Sequence, residues 1–210
     1  MCGRPVAVLG GTFDPPHYGH LAAVEQARQA LAAEEAWLIP AGIPPHRKGT
    51  AASAGSRLAM LRAAVAGRPP LRVVDIEVRR PRPSYTIDTV SLLAREFPGV
   101  EPWLVLGADE ARAILSWRDP ERLLTTARFA IVNRTGVEAV DEAEARSLGY
   151  DSDRTRLIRI DSPAISGREI RRRLAAGESV DDVLPPGVLE LIRRFSLYPS
   201  PAPSSGRPRR

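Results

Sequence analysis

The chain has 210 residues, of which 43% are hydrophobic and 26% charged, with a formal net charge of +5; that length suits one domain with a proper core and demands no second. A single cysteine, Cys2, excludes an internal disulfide and a cysteine-based zinc cluster, and it points to a reducing compartment. No run reaches ~18 consecutive apolar residues and the N-terminus enters a strand at once, so a membrane span and a signal peptide are not expected and a soluble cytoplasmic protein is.

Strand and helix signals alternate along the chain, which predicts an α/β fold with a parallel sheet flanked by helices. The first strand is the apolar run Val6–Leu9, followed by Gly10-Gly11 and a helix that opens near His17 and runs through Ala27. A short strand Ala36–Ile39 ends at Pro40, and the segment Ala41–Ser56, punctuated by glycine and proline, reads as a loop. Helix Arg57–Ala66 and strand Leu71–Val78 come next, then a proline-rich loop, helix Ile87–Phe97 and strand Pro102–Leu106. A helical stretch carries Trp117, a strand spans Phe129–Val132, and an acidic excursion holds a helix near Val137–Ser147. Strand Leu157–Ile160 and two helices, around Ser166–Ala176 and Pro186–Arg194, complete a domain over residues 1–198. Residues 199–210 are rich in Pro and Ser and are expected to form a disordered tail. That tail holds Arg207, Arg209 and Arg210 and no acid, so +5 less three leaves +2 for the domain, and the charge does not mark a nucleic-acid binder.

In an open parallel sheet, ligands sit beyond the carboxyl ends of the strands. The chemistry-bearing residues fall there. Gly10 and Gly11 let backbone approach a ligand, and the helix after them offers unpaired N–H groups and the positive end of its dipole, an anion site. His17 and His20 lie three apart at that helix start, on one face, and can aim two N–H donors at one phosphoryl group. A bare His-x-x-His would as readily hold a metal or sit on the surface; the strand and the run Gly10–Pro15 in front of this pair favour phosphate.

Four further segments share that placement. Pro44-Pro45-His46-Arg47-Lys48 offers donors on a stiff loop, whether for a phosphate or only for solvent. Ser84-Tyr85-Thr86 precedes a helix whose first N–H groups can hold a carboxylate, or simply be capped. Asp109 stands past a buried strand where ribose-binding acids stand, and Trp117 could stack on a flat ring or fill the core. Ser166, Arg168 and Arg171 open another helix with one hydroxyl and two guanidiniums for a triphosphate. Arg172, Arg173, Arg193 and Arg194 read as solvated helix faces.

His17-Tyr18-Gly19-His20 resembles the signature of the His-x-Gly-His nucleotidyltransferases, which lack the Walker loop and the dinucleotide fingerprint. Within that superfamily the run Gly10–Pro15, Pro44–Arg47, Ser84–Thr89, Gly107–Asp109 with Trp117, and Leu197-Tyr198 resemble, in order and spacing, the bacterial nicotinate-nucleotide adenylyltransferases. That resemblance implies a Rossmann-like single domain that joins ATP and nicotinate mononucleotide into nicotinate adenine dinucleotide and pyrophosphate, with Mg²⁺. It assigns Thr12, Phe13, His17, His20, Asp109, Ser166 and Arg171 to ATP, His46 and Arg47 to phosphates, and Tyr85, Thr86 and Trp117 to the nicotinate end. One motif departs: Gly167 and Arg168 stand where the family carries Ser-Thr, so two hydroxyl contacts are lost and Arg168 is a substitute charge. No covalent nucleophile stands out, which predicts direct in-line attack helped by positioning and electrostatics. The weaker alternatives are a pantetheine-phosphate adenylyltransferase, whose family lacks the Ser-Tyr-Thr and Gly-Ala-Asp segments, and a nucleotide-binding regulator without turnover. An aminoacyl-tRNA synthetase would need a second lysine signature and an anticodon-binding domain. Neither a nucleic acid nor a membrane is an expected partner; a homo-oligomer is left open.

Overall fold

Val6 and Val8 pack on one side of the first strand and Ala7 and Leu9 on the other, and all four are buried, as an apolar run without alternation requires of a central parallel strand. The computed structural model describes residues 3–45, 49–162 and 165–199. Its strands are β1 (Arg4–Gly11), β2 (Glu35–Pro40), β3 (Leu71–Val73), β4 (Val100–Gly107), β5 (Arg128–Arg134) and β6 (Thr155–Ile160). They form one six-stranded sheet in the order β3-β2-β1-β4-β5-β6, every pair parallel. The order reverses between β1 and β4, so the connections leave these neighbours in opposite directions and open a crevice above their carboxyl ends.

Helices α1 (Tyr18–Ala30), α2 (Ala54–Val65), α7 (Gly167–Ala175) and α8 (Pro186–Arg194) cover one face. The other is covered by α3 (Thr86–Glu96), α4 (Ala108–Arg112), α5 (Pro120–Thr126) and α6 (Glu142–Ser147). Met60 and Leu61 from α2 and Val188 from α8 are fully buried in the first layer, Leu123 and Phe129 in the second. Each such side chain contributes roughly 1.5–3 kcal/mol through removal from water.

Several boundaries differ from the sequence reading, and three of them have a clear local cause. The strand expected over Leu71–Val78 ends at Val73, and Arg79 and Arg80 donate backbone bonds to Asp75 and Glu77 in successive turns. Val74 and Ile76 are still buried, so the alternation that looked like a strand records burial from turns at the sheet edge. The helix expected near Val137 begins at Glu142, because Asp141 caps it and the Asn133 side chain holds Val140 through two bonds of 2.9 Å in a non-helical loop. The loop expected to reach Ser56 stops at Ser53, whose hydroxyl accepts from the Ser56 N–H and starts α2 early.

Candidate active site

A cleft of about 1280 Å³ opens over the carboxyl ends of β1 and β4. Its wall includes Gly10, Gly11, Thr12, Phe13, His17, His20, Tyr85, Thr86, Asp109, Trp117, Ser166, Arg168 and Arg171, so these sequence candidates come together in one place. His46 and Arg47 lie outside the described residues. Arg172 is exposed and Arg173 half-buried, and both are held in ion pairs with Glu169, Glu178 and Asp182, outside the cleft wall.

The two glycines divide their tasks. A side chain at Gly10 would meet nothing within 4 Å, so its bare backbone is open to the cleft. At Gly11 the missing Cβ makes room for the Phe13 ring, whose atoms would stand 3.2 Å away. Phe13 is itself 1% exposed, with φ of 50°, so its ring belongs to the core while its turn forms the wall.

His17 and His20 stack with ring centroids 3.6 Å apart and planes 24° apart, and Phe13 meets His20 edge-on at 4.9 Å. The His17 backbone N–H donates to His20 Nδ1 across 3.3 Å, which leaves the proton of a neutral His20 on Nε2. His17 is 4% exposed, and burial, followed by the nearby charge of Arg134, lowers its pKa to about 4. The imidazole of His17 is therefore neutral at pH 7.

Beneath this pair runs a polar frame that sequence reasoning missed. The Asp14 carboxylate is buried and accepts from the N–H groups of Ala51 (2.7 Å) and Ala52 (3.1 Å) and from the Tyr198 hydroxyl (2.7 Å). Arg57, fully buried in α2, donates to the carbonyls of Thr12 (2.7 Å) and Gly42 (3.0 Å) and so ties the turn after β1 to the loop after β2. Only its helical position was legible; a buried arginine looks the same in sequence as an exposed one.

On the α7 side, the Ser166 hydroxyl accepts from the Glu169 N–H and caps the helix. Arg171 Nη1 donates to the Asp14 carbonyl across 2.5 Å, whereas Arg168 is exposed on the wall and makes no ion pair or hydrogen bond among the described residues. At Gly167 a Cβ would stand 3.2 Å from the Asp14 carbonyl oxygen, a tight contact that a side chain there could keep only if the turn gave by a few tenths of an ångström.

Across the cleft, Tyr85 is the N-cap of α3 and no side chain caps it; the Asp88 N–H turns back to the Tyr85 carbonyl, and those of Thr86 and Ile87 keep their donor capacity. The Ser84 hydroxyl oxygen accepts from the Gly42 N–H at 3.0 Å, and the hydroxyls of Thr89, at 2.6 Å, and Ser84 bond Glu77. Burial raises the pKa of Glu77, a second wall residue the sequence did not reveal. Trp117 is half-buried, packed on the α3-side core with the cleft on its other side, so the core reading holds in part and its remaining surface lines the wall. Asp109 is exposed in α4; its neighbour Glu110 accepts from the Gly107 N–H at 3.0 Å. Arg134, at the end of β5, also lines the wall, and its strand-end position was the signal available for it.

The cytidylyltransferase-like family matches residues 8–173. A protein of Symbiobacterium thermophilum named "Probable nicotinate-nucleotide adenylyltransferase" is 41% identical over 199 residues, covering 92% of this chain and 94% of its own. One of the same name from Chromobacterium violaceum is 40% identical over 207 residues, with 92% and 98% covered. Among solved structures, the Plasmodium falciparum nicotinic acid mononucleotide adenylyltransferase complexed with NaAD superposes with a TM-score of 0.78 at 21% identity, over 93% of this chain and 97% of that one. Its complex with APC superposes at 0.75. Those two show the shared fold, and the sequence relatives carry the assignment: the chain belongs to the nicotinate-nucleotide adenylyltransferases, enzymes of NAD biosynthesis within the cytidylyltransferase-like family.

Proposed function

We propose that the two ends of the cleft divide the substrates of the adenylyl transfer. ATP takes the side of Gly10–Phe13, His17, His20, Asp109, Ser166, Arg168 and Arg171. The nicotinate ring takes the side of Tyr85, Thr86 and Trp117, and His46 and Arg47 meet phosphates. The uncapped start of α3 is the observation that carries the second half. A nicotinate carboxylate has two acceptor oxygens and a charge for a helix start to attract, whereas an amide turns its NH₂ toward the same donors. Trp117 offers a face for the ring without telling acid from amide.

An oxygen of the mononucleotide phosphate attacks the α-phosphorus of ATP in line; that P–O bond forms as the bond from the α-phosphorus to its bridging oxygen breaks, and pyrophosphate leaves. Charge grows on the phosphate oxygens, where the Nε2–H of His20 and the guanidiniums of Arg134, Arg168 and Arg171 stabilise it. His17, neutral and stacked on His20, holds that ring in place.

Among the described residues no group of three His, Cys, Asp or Glu side chains could hold a metal ion, which fits a Mg²⁺ that arrives on the triphosphate. The ion would draw negative charge from the phosphate oxygens it ligates. No helix among the described residues is long and apolar enough to cross a membrane, and with one cysteine in the chain we place the reaction in the cytoplasm.

The test compares kcat/KM for nicotinate and nicotinamide mononucleotides by pyrophosphate release. The acid should win by at least about 10²-fold, the range a mispaired buried polar contact supplies. Trp117→Ala should weaken both and leave the ratio nearly intact. Comparable efficiencies would sink the carboxylate site at Tyr85–Thr86, and a collapsed ratio in the Trp117 variant would move discrimination to that loop.

A further inference from the structure

Arg118 follows the tryptophan of the nicotinate wall, and its guanidinium carbon lies 4.8 Å from the centroid of the Tyr85 ring. The backbone dictates this placement. Trp117 is extended, with φ of −77° and ψ of 165°, and Asp119 is left-handed with φ of 53° before Pro120 opens α5. Arg118 is thus held at the bend between two short helical pieces, beside the N-cap of α3 and on the wall of the same cleft.

Its partners distinguish it from the arginines around it. Arg112 in α4 pairs with Glu144 at 2.6 Å, and Arg122 in α5 lies 3.8 Å from Asp119. Arg118 is exposed and, among the described residues, meets no carboxylate and makes no hydrogen bond; the Tyr85 ring is its one contact of this kind. Stacking on a ring uses the face of a guanidinium and leaves the N–H donors at its edge available. A carboxylate accepts such donors in pairs, whereas a carboxamide offers one oxygen and sets its own NH₂ against them.

We propose that Arg118 is a specificity-determining residue, whose guanidinium, steadied on Tyr85, draws the carboxylate-bearing mononucleotide to the start of α3 in preference to the amide. The proposal rests on the assignment of Tyr85, Thr86 and Trp117 to the nicotinate ring. It adds a charge to a recognition otherwise made of backbone dipoles, and a charge at an exposed rim works on capture and is screened by salt.

The experiment measures kcat and KM for both mononucleotides in the wild type, Arg118→Ala and Arg118→Lys at low and high ionic strength, with a melting curve for each. Arg118→Ala should lower kcat/KM for the acid about ten-fold, mostly through KM, and change the amide by less than about two-fold. Arg118→Lys, which keeps the charge and loses the planar fork, should fall between. Added salt should narrow the acid-to-amide ratio of the wild type more than that of Arg118→Ala. Equal losses on both substrates would overturn the proposal and reduce Arg118 to a support for Tyr85. A wild type that prefers the acid and a variant that keeps the full preference would also overturn it, with the nicotinate wall intact. A wild type without preference would remove the wall and the proposal together.

Discussion

The Tyr198 hydroxyl donates to Asp14 Oδ1 across 2.7 Å, so the segment after the last helix is bonded to the turn after the first strand. Both groups are buried, and burial with the neighbouring carboxylate pushes the Tyr198 phenol above its ordinary pKa, so it stays a donor. Tyr198→Phe should remove about 1–3 kcal/mol of stability, because Asp14 keeps two donors and loses the third. Truncation after Tyr198 should change neither melting temperature nor turnover; residues 200–210 lie outside the described residues. Melting curves and assays on both variants decide, and a truncation that costs as much as the phenylalanine would show the tail docking on the domain.

His20→Ala should lower kcat by about a hundred-fold or more while ATP affinity, measured directly by calorimetry, changes little. Its Nδ1 is fixed by the His17 N–H, so the ring arrives already oriented for charge that develops only during transfer. If affinity falls as far as kcat/KM, the pair is a docking site and the catalytic role is wrong.

His17 titrates at about 4 against an ordinary value of 6.5, so between these limits the unfolded chain binds more protons than the folded one. Stability should therefore decline as pH falls from about 6.5 toward 4, by up to about 3 kcal/mol if the whole shift is realised. Glu77, raised by burial, has the opposite sign and acts as pH climbs past the ordinary carboxylate range. Denaturant titrations from pH 4 to 7 should show the acid limb in the wild type and a flatter one in His17→Gln. Parallel curves would assign the acid sensitivity elsewhere.

Arg168 and Arg171 share one helix and should respond differently. Arg168 carries no partner among the described residues, so Arg168→Ala should raise the ATP KM about ten-fold at unchanged melting temperature. Arg171 holds the Asp14 carbonyl, so Arg171→Ala should lower the melting temperature as well as the affinity. An unmoved KM in the first variant would place the Arg168 side chain in solvent throughout the cycle.

Much of this site could be read from the chain because its parts are local. Gly10-Gly11, His17 and His20 occupy one strand end and one helix start, and spacing along the sequence is then spacing in the fold. What resisted was non-local. Nothing near Asp14 announces that Ala51, Ala52 and Tyr198 will surround its carboxylate, and nothing near Arg57 names Thr12 and Gly42 as its acceptors. The misread end of β3 has another origin: Val74 and Ile76 are buried from turns, and a period of two reports burial before it reports a strand. The Asp14 carbonyl beside Gly167 is equally non-local, since nothing in the sequence around either residue brings them together.

Asp14 and Tyr198 are separated by 184 positions, and Asp14 and Arg171 by 157. During synthesis the turn that carries Asp14 leaves the ribosome long before Arg171 and Tyr198, two of the groups that satisfy it. A nascent chain long enough to display Gly10–His20 and both central strands holds an Asp14 carboxylate that has the Ala51 and Ala52 N–H groups but not the Tyr198 hydroxyl, and an Asp14 carbonyl without its Arg171 donor. The nucleotide end of the cleft is thus finished only once α7 and Tyr198 have been made, and a chain released before them carries the Gly10–His20 signature without a settled site.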